Sequence, residues 1–225
     1  KWIGKKRNWG TKISEAIKVI GSKENRALER LVSKEAITTI KNVNKEIPKK
    51  VLILTLDENQ NKVTDFAITR LVKEDKIKSV EYGLFKYDAT TNLDTLKEYI
   101  LNAKYDTVIV YGSMINATTL SKDNYRTKLA DEIAKLDNVN KIYVSLNKPY
   151  DVAAHLDYDK VLIAYGFKGM DPTEVDAGIK AFGPNIPAVL EIIFEGGEGK
   201  GKLPVDIPVI KDGNLTSETM FKITK

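Results

Sequence analysis

At 225 residues the chain is long enough for one sizeable core and cramped for two complete domains. Apolar residues at 42% and charged residues at 30% exclude a disordered chain, and no apolar run approaches the ~20 residues of a membrane-spanning helix. The 36 basic and 31 acidic residues leave a formal charge of +5, spread along the chain, which argues against nucleic-acid binding; the absence of cysteine removes disulfide scaffolds and thiolate metal sites.

Residues 1 to about 20 mix Trp2, Ile3 and Trp9 with Lys5, Lys6 and Arg7, a segment expected to pack on something outside itself. Over 22–41, Ala27, Leu28, Leu31, Val32, Ala36, Ile37 and Ile40 recur at three- and four-residue steps, which predicts a helix capped by Ser22. A connector containing Pro48 follows. From Val51 onward, short β-branched runs alternate with amphipathic stretches. Strands are expected over 51–56, 77–85, 107–111, 141–146 and 161–165, and helices over 63–72, 93–103, 124–136, 172–182 and 188–194, with Asn92 capping the second of these helices. Such alternation requires crossover connections. The expected fold class is therefore α/β: a mostly parallel sheet of about six strands with helices on both faces, preceded by an N-terminal helical segment. Residues 1–45 are assigned to a linker and leading helix, and 46–225 to the α/β domain.

Ligands of parallel sheets sit beyond the carboxyl ends of the strands. Those ends carry Tyr111-Gly112-Ser113 and Asn147, followed by Tyr150 and Asp151, and these six residues form the candidate ligand-contact set. The segment Gly196-Gly197-Glu198-Gly199-Lys200-Gly201-Lys202 has the glycine and lysine spacing of a phosphate-binding loop. It lacks the following Ser or Thr and the following helix, because Leu203 and Pro204 come next, so it is read as a turn before a final extended segment. His155 is the lone histidine, which leaves no two-histidine metal site, and neither Ser113 nor Ser145 lies in a nucleophile elbow. His155 is read as structural and both serines as turn residues. Asp151, Asp157 and Asp159 beside it are either an acid-base group or, as favoured here, a polar loop. Neither a metal nor a cofactor is indicated. Asn116-Ala117-Thr118 and Asn214-Leu215-Thr216 fit a glycosylation acceptor pattern too short to carry weight alone.

Four segments together resemble the second domain of family 3 glycoside hydrolases. Ile20 to Glu29 with Ala36 to Asn42 resembles its leading helix. Val144-Ser145-Leu146-Asn147-Lys148-Pro149-Tyr150-Asp151 resembles the strand and loop ending in Asn-Pro-Tyr-Asp, with Lys148 where that family has Asn. Val161 to Gly166 resembles the strand ending in Ala-Tyr-Gly, and Gly199-Lys200-Gly201-Lys202-Leu203-Pro204-Val205-Asp206-Ile207-Pro208 the closing Gly-Lys-Leu-Pro-Val segment. At Glu195 to Gly201 a Gly-Lys-rich phrase replaces the family's usual Pro-Ser-Gly wording.

The resemblance implies a six-stranded α/β sandwich following a TIM barrel, which would be the principal partner, with a carbohydrate as substrate. In the bacterial β-N-acetylglucosaminidase branch, the Asp nucleophile and a His/Asp acid-base pair lie on that barrel. The expectation is then a non-catalytic supporting domain, inactive alone, in a retaining enzyme that removes terminal β-linked N-acetylglucosamine from cell-wall or chitin-derived sugars. Residues 2–20 would be the barrel's last helix or the linker. The alternatives are a stand-alone carbohydrate-binding module, or the corresponding domain of a β-glucosidase-type member that contributes a general acid. Compartment stays open, with a secreted or cell-surface setting slightly ahead.

Overall fold

The computed structural model describes residues 13–20, 22–44, 46–167 and 183–224. Helix α1 (Ile13–Ile20) leads into α2 (Lys23–Ala36), whose Ser22 cap accepts a hydrogen bond from the Asn25 N–H, as the sequence predicts. The predicted helix over 22–41 nevertheless stops at Ala36. Its end falls in strand β1 (Thr38–Asn42), where Thr38, Thr39, Lys41 and Asn42 pair antiparallel with Lys160 to Ile163 and the ladder is irregular between Thr39 and Lys41.

The remaining elements alternate as expected: β2 (Lys50–Thr55), α3 (Glu58–Lys73), β3 (Glu81–Lys86), α4 (Leu93–Asn102), β4 (Thr107–Gly112), α5 (Tyr125–Ala134), β5 (Asn140–Ser145), β6 (Lys160–Ile163) and α6 (Asn185–Phe194). Six strands form one sheet in the order β1-β6-β5-β4-β2-β3, and every neighbouring pair except β1–β6 is parallel. Asp57 starts α3 one turn earlier than the periodicity suggests, because its carboxylate accepts from the N–H groups of Asn59 and Gln60 at 2.8 and 3.0 Å. The stretch Ile77 to Val80 packs on the core as a connection rather than as strand. The helix expected over 172–182 lies outside the described residues.

Central strands are buried on both faces. On one side Val51, Ile53, Ile109, Ile142 and Val144 meet α3 and α6, and on the other Leu52, Leu54, Val108 and Val110 meet α4 and α5. At roughly 1.5–3 kcal/mol per fully buried aliphatic side chain, these two layers hold the fold.

Helix α2 docks on α6 through charge. Lys34 Nζ lies 2.7 Å from both Glu191 and Glu195, Lys76 Nζ 2.7 Å from Glu191, and Arg30 pairs with Glu74 at 2.9 Å. Burial pushes the Glu191 carboxyl up, but the two ammonium groups outweigh it and hold it below its ordinary value. The apolar stripe of α2 consequently faces away from the sheet: Leu28, Leu31 and Val32 are 58%, 55% and 59% exposed.

The glycine-rich segment has a structural use. Gly201 N–H donates to the Ile37 carbonyl at 2.8 Å, Gly199 N–H to Thr39 Oγ1 at 2.7 Å, and Thr38 bridges Lys200, so the segment lies along the outer edge of β1. A Cβ on Gly201 would stand 2.1 Å from the Ala36 carbonyl oxygen, and one on Gly199 2.3 Å from that of Ile37; only glycine permits this approach. The final extended segment is a hairpin, β7 (Ile207–Lys211) and β8 (Asn214–Phe221), turned by Asp212 and Gly213 with φ of 50° and 75°.

Candidate functional site

The carboxyl ends of β2 to β6 open on one side of the sheet, where the candidate residues were expected to meet a ligand. The structure sorts them differently. Tyr111 is fully buried, its hydroxyl 3.1 Å from Thr64 Oγ1 on α3, and burial pushes its phenol well above the usual range. It offers no ring face to a sugar. Gly112 is required by packing, since a Cβ there would sit 1.9 Å from the Tyr143 hydroxyl oxygen. Ser113 is buried, and its carbonyl accepts from Arg126 Nη1 at 2.7 Å. Asn147 and Tyr150 are half-buried at the rim.

Asp151 lies inside. The short 3-10 helix Pro149–Ala154 begins with proline and turns the Asp151 carboxylate inward, where it accepts from Ser145 Oγ at 2.6 Å and Tyr143 Oη at 3.0 Å. Ser145 is thus a buried strand residue rather than a turn residue. Burial raises the Asp151 pKa from 3.8 to about 6, opposed by the bonds from Ser145 and Tyr143 and from the N–H groups of Asp151 and Val152. His155 closes the cluster with its ring centroid 4.3 Å from that of Tyr143 and its Nδ1 3.7 Å from Asp131. Burial lowers its pKa to about 4, so it is neutral at pH 7 and serves as a packed ring, in line with the structural reading.

The three aspartates do not converge. Asp157 is exposed, and Asp159 accepts from the Lys141 N–H at 2.8 Å at the opposite, amino end of β5. Other carboxylates at the strand ends serve their own loops. Asp57 caps α3, Glu58 pairs with Lys86 at 3.7 Å, and Asp88 accepts from the N–H and hydroxyl of Thr90, which hold its carboxyl below the usual range. Lys148 donates to the Ile115 carbonyl at 2.7 Å and ties two strand-end loops together. Among the described residues no group of three or more His, Cys, Asp or Glu is placed to hold a metal ion. No helix there is long and apolar enough to cross a membrane.

Sequence reasoning missed Tyr143 and Arg126. The available signal was alternation: Tyr143 and Ser145 share one face of β5, so two hydroxyls point the same way just before an aspartate-bearing turn. The arrangement can hold the strand-end loops in one geometry. It exposes no nucleophile and no acid-base pair of its own.

No family model and no curated protein sequence matches the chain. Solved structures do. The chain is similar to a fungal multi-domain family 3 β-N-acetylglucosaminidase that also has a GCN5-related glucosamine N-acetyltransferase region, with TM-score 0.60 and 17% identity over 92% of this chain and 21% of that one. It is similar to a family 3 β-N-acetylglucosaminidase from a Paenibacillus species, with TM-score 0.59 and 14% identity over 84% of this chain and 34% of that one. A β-glucoside phosphorylase superposes with TM-score 0.50 and 16% identity over 85% and 33%. The chain has the fold of the C-terminal α/β domain of family 3 glycoside hydrolases, and it spans a fifth to a third of the length of these neighbours.

Proposed function

We propose that this chain is the supporting C-terminal domain of a bacterial, retaining β-N-acetylglucosaminidase acting on terminal β-linked N-acetylglucosamine of cell-wall or chitin-derived sugars, and that the reactive groups lie on a TIM barrel of the same protein. One observation carries the reading: 84–92% of this chain superposes on two family 3 β-N-acetylglucosaminidases while covering only 21% and 34% of them. Two features of the chain support it. The polar groups at the strand ends are sealed inside or bound to their own loops, which suits a buttress better than a catalyst. In addition, α2 turns Leu28, Leu31 and Val32 outward, an apolar stripe of the kind that other protein covers.

The division of labour is checked with a chromogenic N-acetylglucosaminide, assayed with this chain and with the longer protein that includes the barrel. Turnover is expected from the longer protein alone. Comparable turnover by this chain would place the chemistry here and end the proposal. Calorimetry of the chain with N-acetylglucosamine distinguishes the binding-module alternative, because a supporting domain gives no heat of binding.

A further inference from the structure

The sheet has two edges, and the described residues cover one. The glycine-rich segment lies along β1, with Gly201 N–H donating to Ile37 O and Thr39 N–H to Gly199 O. At the other edge stands β3, which pairs with β2 alone among the described strands. Glu81 N–H donates to Lys49 O and Tyr87 N–H to Thr55 O, so the odd-numbered residues of β3 point their peptide groups at β2. By strand alternation Tyr82, Leu84 and Lys86 turn theirs outward, a row of donors and acceptors that invites another strand. The strand contains neither proline nor a bulge, and its centre, Tyr82-Gly83-Leu84-Phe85, is uncharged.

Beside this edge lies a groove of about 410 Å³ between β3 and α4, lined by Leu52, Leu84, Phe85, Leu96 and Tyr99 with Thr91, Asn92 and Thr95. We infer that a second copy of this chain adds its own β3 here, antiparallel about a two-fold axis centred on Leu84, to make one continuous sheet across a dimer.

The register follows from the chemistry of the edge. A two-fold axis perpendicular to the sheet keeps each face on its own side, so only residues two or four apart, or a residue and its own copy, can be opposed. Centring on Leu84 sets the outward peptide groups of Tyr82, Leu84 and Lys86 against those of Lys86, Leu84 and Tyr82 of the second copy. Lys86 then meets the Tyr82 ring, whose hydroxyl is 2.6 Å from the Asp65 carboxylate, so its ammonium gains an opposite charge and an aromatic face. On the groove side Phe85 comes opposite Gly83, large over small. The space over Gly83 is taken by Tyr105, whose Oη lies 2.5 Å from where a Gly83 Cβ would be, with Leu52 at 3.2 Å, so the incoming phenyl ring packs on Tyr105 and Leu52 at the groove's mouth. Every one of these contacts occurs twice. Because the β1 edge is already covered, pairing stops at two chains instead of running on as a fibre. One short strand makes a small interface, so the association is concentration-dependent.

Sedimentation velocity of the chain over a hundred-fold concentration range tests this, alongside Leu84→Pro and Phe85→Lys. Leu84→Pro removes an outward N–H that β2 does not use, a position where an edge strand tolerates proline. The chain is expected to shift from one mass to twice that mass, and each variant to need at least ten-fold more protein for the same shift. Circular dichroism checks folding. Should Leu84→Pro misfold, Phe85→Lys and the amide exchange of Tyr82, Leu84 and Lys86 decide, since those three amides gain protection with concentration only if the edges pair. A chain that stays monomeric throughout, or variants that dimerise as well as the parent, overturns the inference. So does loss of the dimer in a Leu28→Ser/Val32→Ser variant with β3 intact.

Discussion

The carboxyl end of β5 and the outer face of α2 reverse the usual placement of polar and apolar groups. At the end of β5, Tyr143, Ser145, Asp151 and His155 are all buried, a polar cluster where a core would be apolar. On α2, Leu28, Leu31 and Val32 stand in the open where a solvated helix would be polar. The first arrangement is self-sufficient, because each buried hydroxyl finds the Asp151 carboxylate. The second is incomplete, because nothing among the described residues covers the stripe. Polar residues at a strand end are thus sealed in, and residues patterned like core lie exposed among the described residues.

Disrupting the sealed region costs the most stability. Gly112→Ala forces a Cβ against the rigid, buried Tyr143 ring, and the loss of unfolding free energy is expected to reach about 3 kcal/mol, at the upper end for overpacking. Urea titration at pH 7 measures it. A loss below half that figure would mean the cluster yields and is not a fixed scaffold.

Acidification acts on the sealed region in two directions, since the cluster holds two buried groups with opposite responses. Asp151 is raised from 3.8 to about 6, so its contribution is present below pH 4 and is lost as pH rises through 6. His155 is lowered from 6.5 to about 4, so its contribution is present above pH 6.5 and is lost as pH falls towards 4. The two contributions are of similar size, each on the order of 3 kcal/mol, and between pH 4 and 6 they nearly cancel. The parent chain is therefore expected to keep a level stability across that window. Asp151→Asn should lose stability on acidification, and His155→Phe should gain it. Melting temperatures at pH 4.5, 5.5 and 6.5 show the slopes, and parallel slopes in all three proteins would remove the coupling.

The smallest effect belongs to α2. Leu31→Gln is expected to change the stability of this chain by no more than about 0.5 kcal/mol, as surface substitutions do, while weakening association with a separately produced barrel. A loss several times larger in the chain alone would show that the stripe is covered within it.

The alternation of β-branched runs with amphipathic stretches made the parallel sheet legible, and Ser22, Asn92 and Asn124 mark helix starts where the structure puts them. Strand β1 was hidden because Ala36, Ile37 and Ile40 fit a helical step as well as a strand, and the partner that decides between them, β6, is far along the chain. Tyr111 is buried, although a strand end is expected to be open. The run Val108 to Tyr111 is apolar without a break, the mark of a parallel strand covered on both faces, and it argued for burial all along. The inward turn of Asp151 depends on β5 and the following 3-10 helix meeting in space, which no local pattern records.

On the proposed reading, the strand-end polar groups of this domain hold structure and perform no chemistry. Turnover of an N-acetylglucosaminide by the barrel-containing protein carrying Asp151→Asn, measured well below its melting temperature, tests that most directly. The expected kcat is within about two-fold of the parent, whereas loss of a general acid or base typically costs about 10²–10⁴-fold. A fall of that size in a fully folded variant would contradict the claim and return Asp151 to the active site.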